Sequence, residues 1–313
     1  MKQNDSRACF RTIIGGQALI EGIMMRGPDK SSIVVRREDG TLVEKTEPLR
    51  KTKKPAILNW YFIRGVYNFG SSMIQGVRAL FYSADAAFES TENTEPPSRL
   101  ERRLGTKRFN DLLMTVSAVL GVALPIVLFF FLPTLLAGTL DRFIGSGFLR
   151  NLCEGGIRIL LFLLFMFSVS RMKDIRRTFE YHGAEHKSIA CYESGAALTV
   201  ENARACRKEH PRCGTSFLLV VMIVSILVFS VVRWSNPFVR LLLRLALLPV
   251  VVAISYEINR AVGRHDNAFT RAVRAPGLWL QKLTTREPDD SMLEVAITAL
   301  KAVIPEEKGA DRW

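Results

Sequence analysis

Cysteine and histidine are scarce in this 313-residue sequence, with five and four copies, and their scarcity narrows the chemistry it can perform. The cysteines (Cys9, Cys153, Cys191, Cys206, Cys213) are odd in number and form no CxxC pair. Neither a disulfide framework nor a zinc ribbon is therefore indicated, and a reducing compartment fits best. Met1–Thr12 lacks an apolar core, so no secretory signal is expected and the amino end should stay in the cytoplasm. Gly15, Gly16, Gly22 and Gly27 punctuate an early apolar stretch, but their spacing is neither a dinucleotide nor a P-loop pattern. They read as tight turns in a small sheet.

What the sequence does have is apolar length beside positive charge: 48% hydrophobic residues and a net charge of +13. No charged residue occurs from Leu112 to Leu140, more than the roughly 20 residues that cross a bilayer. Pro125 and Pro133 predict a kink there. Cys213–Val232 is a second uncharged run, while Gly155–Ser170 and Leu241–Tyr256 are each interrupted by one arginine, Arg158 and Arg244. Both arginines are expected to snorkel to the headgroups. Lys and Arg number 19 in residues 1–111, nine in 171–216 and nine in 259–313, against three in each remaining stretch (Arg142, Arg150, Arg158; Arg233, Arg240, Arg244). If all four segments span, the three basic regions share one side, the cytoplasmic one.

The expected fold is an α-helical integral membrane protein of four transmembrane segments with a small α+β cytoplasmic portion at its amino end. Its parts are a cytoplasmic β-containing domain (1–55), an amphipathic membrane-lying helical segment (56–88) and a charged linker (89–108). A first transmembrane hairpin (109–170), a cytoplasmic helical loop with the histidines (171–212), a second hairpin (213–259) and a cytoplasmic tail (260–313) follow. Within the first part, Asp39-Gly40 between Ser32–Val35 and Thr41–Lys45 predicts a β-hairpin. In the second, Trp60, Phe62, Val66, Phe69, Met73 and Val77 recur at helical spacing. The basic clusters Arg50–Lys54 and Arg102–Arg108 are read as fixing topology or meeting a ribosome or anionic lipid, not sequence-specific DNA.

Three of the four histidines fall at 182, 186 and 210. On a helix over Asp174–Tyr192, the i, i+4 spacing puts His182 and His186 on one face. The run His182-Gly-Ala-Glu185-His186 has the form H-x-x-E-H, in which two histidines hold zinc and the glutamate acts as general base. Glu185 is thus the candidate catalytic residue, and His210 or Glu257 is the expected third ligand. Thr199 is the expected N-cap of a short helix over Val200–Glu209, and this helix would fold His210 back toward the pair. His265 reads as a surface turn residue.

GGQALIEGIMMRGP at the amino end, YHGAEHKSI at 181–189, HPRCGTSF at 210–217 and ISYEINR at 254–260 together resemble the YqhQ-like bacterial membrane proteins. That family is one of unknown function whose members are sometimes labelled metal-dependent enzymes. The resemblance carries over Gln17, Glu21, Arg26, His182, Glu185, His186, His210, Arg212, Cys213 and Glu257 as motif members. Gln17, Glu21, Arg26, Arg212 and Cys213 are expected to line the site. The leading expectation is a metal-dependent hydrolase in the bacterial inner membrane, with a divalent metal such as zinc at a cytoplasm-facing His/Glu site. The competing expectation is a non-catalytic scaffold or assembly factor that meets a membrane protein or ribosome through its basic face. Besides lipid, a second copy of the chain is an expected partner.

Overall fold

The computed structural model describes residues 10–49, 55–88, 102, 105–139, 147–230, 236–265 and 267–312. The basic cluster at 50–54 and most of the 89–108 linker lie outside them. The chain divides into two compact units: residues 1–90, 166–221 and 252–313 form the first, and residues 91–165 and 222–251 the second.

The first unit opens with four antiparallel strands in the order β1 (Gly15–Leu19), β2 (Gly22–Arg26), β3 (Lys30–Arg36) and β4 (Leu42–Pro48). The expected hairpin is β3–β4, which turns through Gly40 at φ +84. Such an angle suits glycine, which has no Cβ to clash. Ile23 opposes Val34, and both point with Met25 into one face of the sheet; Ile33 and Val35 point into the other. Strands covered on both faces explain the near-continuous apolar stretch that the sequence shows here.

One cover is α1 (Tyr61–Phe88), whose Ala86 and Ala87 pack on Val35. The other consists of α5 (Lys173–Glu193), through Tyr181 and Ala184, and α10 (Asp290–Val303), through Leu293, Ala296 and Leu300. Leu293 and Leu300 are fully buried, each worth roughly 2–3 kcal/mol. Expected as a tail, residues 260–313 thus hold a core helix. They also hold α9 (Ala268–Thr284), started by an Asn267 capping box. The short helix α6 (Val200–Ala205) is capped by Thr199 as expected, through Asn202 N–H, but ends earlier than expected.

The remaining helices are apolar: α2 (Thr106–Ile126), α3 (Leu132–Thr139), α4 (Gly147–Val169), α7 (Gly214–Ser230) and α8 (Pro237–Arg264). Among the described residues, three stretches are long and apolar enough to cross a membrane: Thr115–Thr139, Leu149–Val169 and Phe238–Arg264. Cys213–Val232, expected to be one of the clearer spans, yields α7, at 17 residues shorter than any of those three stretches.

The arginines correct the sequence reading. Neither snorkels: within the second unit Arg158 and Arg244 are 5% and 2% exposed and converge on Glu154, itself 1% exposed. Arg244 Nη2 donates to Glu154 Oε2 at 2.9 Å, and Arg158 Nη2 to Oε1 at 3.3 Å. Thr134 Oγ1 adds a bond to the same carboxylate at 2.9 Å. Pro133 has no N–H to give the carbonyl four residues back, that of Phe129, and Arg158 Nε supplies the missing donor at 2.7 Å. A five-residue π turn, Val127–Phe131, bridges α2 and α3 at this point. A carboxylate one turn before Arg158 offered an alternative to headgroups that the apolar pattern concealed.

Candidate metal centre

α5 carries His182 and His186 one turn apart, with ring centroids separated by 4.4 Å. Each ring is pinned at Nδ1 by a backbone carbonyl: His182 by Thr284 O at 2.8 Å, and His186 by Lys208 O. A carbonyl only accepts, so both Nδ1 atoms carry protons, and in a neutral ring of that tautomer Nε2 holds the lone pair. His182 Nε2 lies 3.2 Å from Cys213 Sγ, where the chain enters α7. The ligand-capable atoms of His182, His186 and Cys213 all lie within 4.8 Å of one another. Burial holds the His186 imidazole below its usual pKa, hence neutral, the form a metal requires.

Gly183 sits between the histidines, where its weak helix propensity argues against it. The close approach of the segment after α9 explains it: Arg286 N–H donates to Phe179 O at 2.9 Å, and a Cβ on Gly183 would overlap the Arg286 carbonyl. That approach also delivers the Thr284 carbonyl to His182.

Glu185 lies on the same cavity wall, 6% exposed, its Oε1 accepting Gly16 N–H from β1 at 3.0 Å. Burial pushes its carboxyl above the usual value, against the smaller opposing effects of His182 and the Gly16 bond. A Cβ on Gly16 would stand 2.9 Å from Glu185 Cγ and 2.8 Å from Met24 O, so only glycine lets this edge strand approach so closely.

The two expected third ligands are engaged elsewhere. Glu257 is bound bidentately by Arg64 of α1, with Nε at 2.7 Å and Nη2 at 2.5 Å, and does not join the histidines. His210 lines the cavity, its ring centroid 5.7 Å from that of His186, but its Nε2 faces Glu193 at 3.4 Å. Its backbone is clamped by Gln281, which accepts His210 N–H and donates to His210 O, both at 2.8 Å. Burial works to raise the Glu193 carboxyl, but the His210 bond and the Arg212 charge outweigh it and hold the group below its usual value. Cys213, expected as a lining residue or as a ligand of a closed site, is the residue whose ligand-capable atom lies close to both histidines.

Gln17 and Arg212 line the same cavity, and Arg212 pairs with Glu193. Glu21 and Arg26 act as clasps instead: Glu21 pairs with Arg177 of α5, and Arg26 Nη1 donates to Gln75 of α1 at 2.7 Å. The cavity itself measures 670 Å³ and is lined by Phe69, Phe179, Phe217 and Leu218 beside the histidines. Gln281 and Thr284 were not anticipated; only the helical period of α9 hinted at them.

The family described as "Protein of unknown function (DUF1385)" matches residues 60–306. The chain is 31% identical over 293 residues to "Uncharacterized protein YqhQ" of Bacillus subtilis (strain 168), covering 93% of this chain and 92% of that protein. No solved structure matches.

Proposed function

We infer, from the premise that this chain belongs to the DUF1385 family of proteins of unknown function, that it is a membrane-embedded metal-dependent hydrolase. The observation that carries this reading is the convergence of two Nδ1-pinned imidazoles and a thiol, a donor set that places lone pairs around one point. Two nitrogens and one sulfur suit zinc or ferrous iron. With three protein ligands, a fourth position would open to the cavity, the arrangement of catalytic rather than structural sites. Bound there, the ion would lower the pKa of a water and polarise a substrate carbonyl or phosphoryl oxygen.

The remaining residues have assignable work. Thr284 and Lys208 hold the imidazole tautomers, as outer partners of metal-binding histidines do. Glu185, its pKa raised by burial and its Oε1 fixed by Gly16, takes a proton as general base. The finer topology belongs to the same proposal: four spans, both termini cytoplasmic by the distribution of Lys and Arg, α7 as the short third span and α1 lying along the membrane surface through its exposed Tyr61, Phe62, Met73 and Ile74.

Elemental analysis of detergent-purified protein tests the reading. About one zinc or iron per chain, retained in Glu185→Gln and lost in His182→Ala, His186→Ala and Cys213→Ala, is expected. No metal as purified, and none taken up on titration, would overturn it.

A further inference from the structure

Three recesses of the first unit meet around Tyr256 of α8. Tyr256 lines the 670 Å³ cavity and two neighbours of 190 and 620 Å³; Asn259 and Arg212 are common to the first and second, Asn68 to the first and third, and Arg260 to the second and third. The recesses therefore adjoin, and they differ in chemistry. The reactive cavity is walled by Phe69, Phe179, Phe217 and Leu218, whereas the neighbours are lined by Arg64, Arg212, Arg260 and Arg264.

Two of those four charges are already met: Arg64 by Glu257 and Arg212 by Glu193. Arg260 and Arg264 have no ion-pair partner among the described residues, and as an i, i+4 pair they share one face of the last turn of α8. Arg260 and Arg264 reach the Glu257 carboxylate only through space, and two guanidiniums with no direct counter-ion beside Asn59 and Asn68 form a receptor for an anion; guanidinium suits the planar, multidentate recognition of phosphate oxygens. α8 is also one of the three helices long and apolar enough to cross a membrane, so its final turn is where phosphate headgroups would lie.

We propose that the cavity takes an anionic, phosphate-bearing amphiphile, its phosphate held by Arg260 and Arg264 and its apolar portion against Phe69 and Phe217, so that a bond near the headgroup reaches the His182/His186/Cys213 pole. The assignment deepens the hydrolase reading and rests on it for the chemistry, but not for the binding. An acidic peptide would meet the arginines equally well and leave the apolar wall unused.

Cys213 offers a reporter inside the cavity, and Cys153, half-buried in the second unit, a control outside it. The test is the rate of iodoacetamide alkylation at each thiol, resolved by peptide mass spectrometry, on chelator-treated full-length protein in neutral detergent. Dioleoylphosphatidylglycerol should slow the reaction at Cys213 and leave Cys153 unchanged, whereas zwitterionic dioleoylphosphatidylcholine should do neither. Arg260→Gln/Arg264→Gln, of unchanged melting temperature, should shift the protecting concentration upward by on the order of tenfold per arginine. Equal protection by glycerol 3-phosphate would keep the phosphate chemistry and move its source from lipid to a soluble ester. Protection by the zwitterionic lipid, no protection by any anion, or protection unaltered in the double variant would overturn the proposal. Metal content of untreated samples separates the two readings: arginine-dependent protection without metal sinks the hydrolase alone, and metal without protection sinks this assignment alone.

Discussion

Replacing Glu193 by glutamine removes one charge from a buried cluster and keeps its shape. The carboxylate is 4% exposed and accepts Thr12 N–H at 2.8 Å, Arg212 Nη2, and the His210 ring at 3.4 Å. Glutamine with its carbonyl at the Oε1 position can still accept from Thr12 and Arg212, but its amide then replaces the oxygen that faces His210, and Arg212 loses its counter-charge. Breaking a buried pair from one side costs about 3–5 kcal/mol. Arg212 is only partly buried, which favours the lower end, ~3 kcal/mol, a fall in melting temperature of roughly 6–10 °C. The pH dependence has a definite sign. The folded carboxyl titrates below the usual 4.5, so its stabilisation is complete above that pH and is lost as pH falls through the folded value. Melting curves of wild type and Glu193→Gln in detergent should therefore be far apart at pH 7 and converge below pH 4.5. Adding Arg212→Gln should recover part of the loss. Equal melting at pH 7, or a gap that persists undiminished into acid, would refute the reasoning.

Gly183→Ala forces a methyl into the Arg286 carbonyl, a backbone atom with little room to yield, and should destabilise by about 3 kcal/mol, read as a lower detergent melting temperature. Gly16→Ala displaces Glu185 without touching the three candidate ligands, so metal content should persist while any turnover falls by roughly tenfold or more. Glu154→Leu should cost about 3–5 kcal/mol by stranding Arg158 and Arg244, and the double variant Glu154→Leu/Arg244→Met should melt above the single one. Asp289→Ala removes the cap of α10, whose side chain accepts Met292 N–H at 2.9 Å, and should lower stability by about 1 kcal/mol in the same assay.

Local patterns in the sequence anticipated local structure. The Asp39-Gly40 turn, the Thr199 cap, the apolar helices and the shared helical face of His182 and His186 all depend on residues a few positions apart. Apart from Glu154, one turn before Arg158, what sequence reading missed is long-range. Glu257 looks free until Arg64, 193 residues away, occupies it, and His210 looks available until Gln281, 71 residues on, sets its backbone. The role of α10 was the most legible of the misses, since Met292, Leu293, Ala296, Ile297 and Leu300 recur at helical spacing behind the Asp289 cap. Neighbouring charges drew the eye to a tail instead.

The packing of α10 against β2 and β3 fixes an order of events. The sheet leaves the ribosome first, within residues 15–48, yet the helix that covers one of its faces begins at Asp290. At about 5–20 residues per second, Ile23, Met25 and Val34 wait on the order of tens of seconds for Leu293 and Leu300. Every apolar helix is synthesised during that interval. Two further bonds join residues just before the sheet to one just after α10: Ile13 N–H to Asp311 O, and Thr12 Oγ1 to the Asp311 carboxylate. A sheet covered by a helix roughly 250 positions later closes its core only when that helix has been made.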